Sequence, residues 1–183
     1  MIALASSGLH RGKVTGHDPR ALLLRIRLLI AFLIGGLIIS GITAFPLVYE
    51  LDLLASFVPG GPQAEHAPGG LASWILRVDE GLRATAQAYP FLAYGTDWLA
   101  FSHLVIAAFF VAPFIDPVRN IATLYVGIAA CAGVIALALI CGPIRGIPLY
   151  WRLIDCSFGV GAIVPLLLAI RLTRKLESAS SPK

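Results

Sequence analysis

The chain has 183 residues, of which 58% are hydrophobic and only 13% charged, and its mean hydropathy is +0.85. A soluble domain carries about 25% charged residues, so this composition excludes an ordinary water-soluble protein. The formal charge of +4 and the pI near 9.2 come from basic residues beside apolar stretches. They are therefore no evidence for nucleic acid, and no nucleic-acid partner is expected.

In chain order, residues 1–24 read as a cytoplasmic tail, with Gly8, Gly12, Gly16 and Pro19 among scattered charges. The first apolar stretch is Arg25–Val48. It is longer than the 7–15 residues of a signal-peptide core and is followed by no small-residue cleavage site, so it reads as an uncleaved span. Three more stretches follow, Trp98–Ile115, Ile121–Cys141 and Cys156–Leu172. A helix needs about 20 apolar residues to cross the hydrocarbon, and roughly 17 at the least. A bilayer offers no water to open backbone groups, so each stretch must be helical. The expected fold is all-α: a polytopic bundle of four transmembrane helices over residues 25–172, with one extracytoplasmic amphipathic helix and a cytoplasmic tail over 173–183.

Small residues one turn apart mark expected packing faces: Gly36 with Ser40, Gly127 with Cys131, Ala129 with Gly133, and Ser157 with Gly161. Residues 49–97 form the largest soluble segment. Its Pro- and Gly-rich middle, Val58–Gly70, is expected to be irregular. Then Leu71, Trp74, Ile75, Val78, Leu82 and Tyr89 recur at helical spacing, with Arg77, Glu80, Arg83 and Gln87 on the other face, until Pro90 stops the run. This is an amphipathic helix of about five turns, lying on the membrane or capping the bundle. Asp116-Pro117-Val118-Arg119-Asn120 is a tight turn that would make an antiparallel hairpin of the second and third spans. Glu177–Lys183 reads as a loose end.

Basic residues orient the bundle. With the N-terminus cytoplasmic, Arg11, Lys13, Arg20, Arg25, Arg27, Arg119, Arg171, Arg174, Lys175 and Lys183 fall inside. Only Arg77, Arg83, Arg145 and Arg152 fall outside, a ratio of 10 to 4. Both termini are expected in the cytoplasm, and the inner rim could attract anionic lipid at about 1 kcal/mol per basic residue.

This topology gathers polar residues at the outer ends of the spans: Glu50 and Asp52, then Asp97, Trp98 and His103, then Arg145, Trp151, Arg152 and Asp155. Two arginines can hold phosphate or carboxylate through their fork geometry, and Trp at that depth anchors the interface. Asp97, Trp98, His103, Arg145, Trp151, Arg152 and Asp155 are the candidate ligand-binding residues, for a lipid head group or an amphiphile with an anionic end. The competing reading is that Arg145 and Arg152 pair with Asp155, Asp97 or Glu50 to tie helix ends together. His103 lies inside the second span, where an ionisable group is a functional candidate. A hydrogen bond to Ser102, Asp97 or a nearby carbonyl is the plainer use, and no second span His exists to complete a bis-His haem. Cys141 and Cys156 flank one outer loop, and a disulfide there would close about 15 residues and stabilise by about 3 kcal/mol. Otherwise they pack as small apolar groups, as Cys131 does at mid-span.

Metal and nucleophile chemistry find little support. Glu65-His66 has no further ligand at useful spacing, and neither G-x-S-x-G nor H-E-x-x-H occurs. No cofactor is expected.

The second half resembles an uncharacterised family of small bacterial inner-membrane proteins. The resemblance rests on Tyr94-Gly95-Thr96-Asp97-Trp98-Leu99-Ala100-Phe101-Ser102-His103, on Asp116–Asn120, on Gly142-Pro143-Ile144-Arg145-Gly146-Ile147-Pro148 and on Trp151–Gly159, within about residues 90–161. It implies a bacterial cytoplasmic-membrane protein and carries no activity with it.

These features point first to a non-enzymatic accessory or structural subunit of a larger membrane complex, its partners being membrane lipids and other membrane subunits. The alternative is a protein or enzyme that handles a lipid or quinone-like ligand through the outer polar cluster. A small oligomeric transporter is the third reading.

Overall fold

The computed structural model describes residues 18–58 and 70–180. The expectations for the first 17 residues, for the Pro- and Gly-rich stretch with Glu65-His66, and for the last three residues lie outside the described residues. The elements are α1 (Pro19–Ala44), α2 (Leu47–Ser56), α3 (Leu71–Ala88), a 3-10 turn (Pro90–Leu92), α4 (Ala93–Phe109), α5 (Val111–Ile115), α6 (Ile121–Ile144) and α7 (Leu149–Ser180). No strand occurs among the described residues. Four helical stretches are long and apolar enough to cross a membrane: Pro19–Ala44, Pro90–Ile115, Ile121–Ile144 and Leu149–Ala179. The chain is an all-α, multi-pass membrane protein.

Local chemistry sets the helix ends. The Asp18 carboxylate accepts from the Arg20 N–H at 3.0 Å and Pro19 occupies the first helical position, so α1 begins six residues before Arg25. Pro46 has no N–H to continue the ladder, and its backbone (φ −85°, ψ 41°) redirects the chain into α2. At the far end of α6 the Gly146 N–H bonds Pro143 O at 3.0 Å and the Ile147 N–H bonds Gly142 O at 2.9 Å. This Schellman cap requires Gly146 at φ +70°. Only residues 145–148 then separate α6 from α7. The expected long connection through Arg152 is instead the last turn of α6 and the first turn of α7, so α7 starts seven residues before Cys156. At its other end α7 continues to Ser180, with Leu176 buried in the core, so Glu177 to Ser180 are helical and not a loose end.

Pro113 divides the second span. Its ring conflicts with the carbonyl four residues earlier, and α4 gives way to α5 at Phe110. The last carbonyls of α5 lack helical partners, and Arg27 of α1 supplies them. Its Nε donates to Phe114 O at 3.1 Å and its Nη2 to Ile115 O at 3.2 Å, with the guanidinium 5.7 Å from the Phe114 ring centre. A cation at a helix C-terminus also complements the helix dipole. In the following turn Asp116 Oδ1 accepts from the Arg119 N–H at 3.0 Å, and Asn120 Nδ2 donates to Asp116 O at 2.9 Å.

α1 packs along both α4 and α7, and α7 packs along α6. α4 and α6 are joined by the tight turn but share no extended interface, so the expected hairpin is one of connection and not of packing. The close approaches lie elsewhere. A Cβ on Gly41 would stand 2.9 Å from Ala100 O, and one on Gly159 would stand 2.9 Å from Cys131 O. Gly127 lies under Phe110 and Leu166. By contrast Gly35, Gly36, Gly133 and Gly161 have nothing within 4 Å of a Cβ position, so the expected faces at Gly36, Gly133 and Gly161 are not contacts within this chain.

The main core sits at the end of the bundle where α1 begins and α7 finishes, here the tail end. Leu22, Ile26 and Ile30 meet Phe110, Leu124, Leu166, Ala169 and Ile170 there. The opposite end is capped by α2 and α3. Ala55, Val58 and Ile75 bury themselves with Trp151 of α7 packed against them, and the Tyr150 hydroxyl donates to Gly70 O at 2.9 Å. The other end of α3 runs through Tyr89 into α4. At 1.5 Å per residue α3 is about 27 Å long, so it bridges the start of α7 to the start of α4.

Candidate functional site

The seven candidate residues fall on two sides of α1. Asp97, Trp98 and His103 belong to α4, whereas Trp151, Arg152 and Asp155 lie in the first two turns of α7, with Arg145 capping α6. α4 has no extended contact with α6 or α7, and α1 packs against both α4 and α7.

On the α4 side, His103 Nδ1 is 2.8 Å from Leu99 O, one turn back on its own helix. A carbonyl only accepts, so Nδ1 carries the proton in this contact. Ser102 is occupied in the same way, donating to Trp98 O at 2.7 Å. His103 is thus tied to its own helix and bonded to neither Ser102 nor Asp97. Asp97 lies in a groove of about 250 Å³ formed with Phe45, Tyr94, Trp98 and Phe101. Trp98 meets Tyr94 edge-on at 6.0 Å and Phe101 edge-on at 6.1 Å.

On the α7 side, Arg152 lays its aliphatic stem over Gly142 of α6, where a Cβ would collide with its Cδ and Cγ. Its Nε is buried without a hydrogen-bond partner. Asp155 is half-buried, and Arg145 is exposed. Among the described residues every ion pair belongs to Arg83, so Arg145 and Arg152 do not tie helix ends through Asp155, Asp97 or Glu50. Trp151 serves the cap core. Cys131, Cys141 and Cys156 are free thiols. The early start of α7 separates the proposed disulfide pair: Cys141 is about 4–5 Å from the end of α6, whereas Cys156 is about 10 Å into α7.

One polar cluster escaped the sequence reading. Asp79 is 2% exposed on the inner face of α3, one turn after Ile75. Arg83 grips it from one turn further on, with Nε 3.2 and 3.1 Å from the two carboxylate oxygens, and its Nη2 reaches Asp52 of α2 at 2.7 Å. One guanidinium thus holds two carboxylates and fastens α2 to α3. Asp79 stood in register with the apolar residues of α3, and its four-residue spacing from Arg83 was the available signal.

Desolvation first, then the hydrogen bond and negative charge of Asp79, push the Asp52 carboxyl above its ordinary value against the pull of Arg83. The folded cap therefore binds a proton more readily than the unfolded chain does. Its stabilising effect is full below the ordinary carboxylate range and is lost as pH rises through the raised value. Hydrogen exchange of the α2 and α3 amides should slow as pH falls from neutral toward the carboxylate range, after correction for intrinsic rates. Asp52→Asn should flatten that dependence. The same slope in wild type and variant would show that Asp52 is not its source.

Among the described residues no three His, Cys, Asp or Glu side chains converge as a metal site. No family model, curated protein or solved structure matches this chain.

Proposed function

We propose that this chain is a non-enzymatic accessory or structural subunit of a larger membrane complex. In this reading it resides in a bacterial cytoplasmic membrane with both termini in the cytoplasm, which puts the α2–α3 cap outside. The excess of basic residues at the tail end supports that orientation. The observation that carries the subunit reading is the outward placement of span glycines. A Cβ on Gly35, Gly36, Gly133 or Gly161 would meet nothing within 4 Å beyond its own helix, and only 11% of the most apolar stretch of α6 is buried. In lipid, helix association depends on close van der Waals approach at small residues, so bare glycine faces suit helices supplied by another subunit.

Native mass spectrometry of the protein released gently from its own membrane tests this. Further subunits at fixed stoichiometry are the expected result. A lone chain would overturn it, and a lone chain with a defined small-molecule mass would favour the second reading, a lipid- or quinone-like ligand at the α6–α7 corner. The observation favouring that alternative is the buried, unpartnered Nε of Arg152, three residues before Asp155 on α7.

A further inference from the structure

We propose that the gap between α4 and α6, on the cap side of Phe110, binds a lipid-soluble alcohol or phenol whose hydroxyl donates to His103. Neither reading above is assumed, and further subunits at fixed stoichiometry would leave the site standing. The buried members of the main core reach no further toward the cap than Leu33 on α1, Phe110 after α4, Leu124 on α6 and Leu166 on α7. Beyond that layer α4 packs along α1, and α6 along α7, with no extended contact between α4 and either α6 or α7. Phe110 and Gly127 are buried against each other. Seven residues further along a helix the same face returns, about 10 Å away. There His103, seven residues before Phe110, is half-buried, and Val134, seven after Gly127, is 42% exposed. Two faces that meet at one level are thus uncovered at the next.

Two ionisable side chains stand on the walls of this gap. His103 shares the Phe110 face of α4 and lies halfway along the 26-residue Pro90–Ile115 stretch. Asp155 stands seven residues before Ala162, which packs against the main core, so it lies on the interior face of α7. On the same helix Arg152 lies over Gly142 of α6 and Gly159 against the Cys131 carbonyl, which sets Asp155 on the side of α7 that borders α6. An ionisable group inside a span faces the bundle or a cavity and marks a ligand path by default. With Nδ1 donating to Leu99 O, the neutral imidazole of His103 leaves Nε2 as an acceptor, and Nε2 has no partner among the described residues. The Asp155 side chain has neither an ion pair nor a hydrogen bond among the described residues, and its oxygens accept as well. Both walls therefore lack a donor, which a hydroxyl supplies. The body attached to that hydroxyl is apolar. Ile106, one turn before Phe110, and Leu137, beyond Val134 on α6, are 43% and 62% exposed, so the gap opens sideways past hydrocarbon side chains.

The test uses the full chain in non-ionic micelles, with 4-octylphenol and its methyl ether as probes and binding read by native mass spectrometry. The two probes share one body and differ in the single donor. Wild type should bind the phenol about three- to tenfold more tightly than the ether, the worth of one neutral hydrogen bond. His103→Phe keeps a ring but no acceptor, and should bring the two probes to equal affinity. Val134→Trp should weaken both by filling the gap. Position 134 is 42% exposed, so the larger side chain leaves the helix contacts intact and separates loss of the site from misfolding. Equal binding of the two probes by wild type would overturn the proposal and leave the gap to acyl chains or a span of another subunit. A preference that survives in His103→Phe, or unchanged affinity in Val134→Trp, would overturn it too. If the preference survives there but is lost in Arg152→Gln, the hydroxyl sits at the α6–α7 corner instead.

Discussion

Phe110→Ala should lower the stability of the bundle by about 3 kcal/mol, the low end of the range for truncating a buried Phe. Phe110 is 6% exposed and sits where Pro113 breaks the second span. Its ring covers Gly127 of α6 and joins Leu124 and Leu166 in the main core. It thus links the α4–α5 junction to α6, two segments with no long interface of their own. The low end applies because transfer of the ring between protein and lipid tails contributes little, whereas the cavity it leaves forfeits contacts on every side. Reversible unfolding in mixed micelles would measure the loss. A change below about 1 kcal/mol would mean that the core at the tail end closes over the gap.

Gly159→Leu should cost about 1–3 kcal/mol by overpacking, with Gly36→Leu near neutral as its control. A Cβ at Gly159 would press on a backbone carbonyl, that of Cys131, which a rotamer change cannot move aside. Gly41→Leu should cost a similar amount against the Ala100 carbonyl. The two sites lie in different interfaces, α6–α7 and α1–α4, so their effects should add to within about 0.5 kcal/mol. The same unfolding titration checks all three, and a cost at Gly36 equal to that at Gly159 would show that the bare face is occupied in solution.

The glycines separate the two levels of argument. Gly36, Gly133 and Gly161 had the same small-residue spacing as Gly127, yet only Gly127 meets a neighbour. Spacing along one helix states that a partner could come close, and the rotation of that helix decides whether one does. Arg27 had the character of a cytoplasmic basic flank. Its second role, holding the carbonyls of Phe114 and Ile115, arises because Pro113 ends one helix and α1 passes beside it. The candidate site divided for a related reason: helix ends on one side of a membrane need not be neighbours, and α1 came between α4 and α7.

By itself the sequence determined the class, the four spans and the amphipathic helix: the spans because each depends on the local composition of 17 or more residues facing a uniform apolar solvent, the amphipathic helix because its apolar residues recur at helical spacing. Helix ends depend on a few caps and prolines, and they moved by three to eight residues once Asp18, Pro46, Pro90 and Gly146 acted. The tertiary structure alone decided which spans touch, which glycines are in contact, and that Asp79, Arg83 and Asp52 form one clasp. The physical reason is that helix rotation and pairing within lipid are governed by short-range packing between residues far apart in the chain. Hydropathy, which is nearly uniform around each span, carries no record of it.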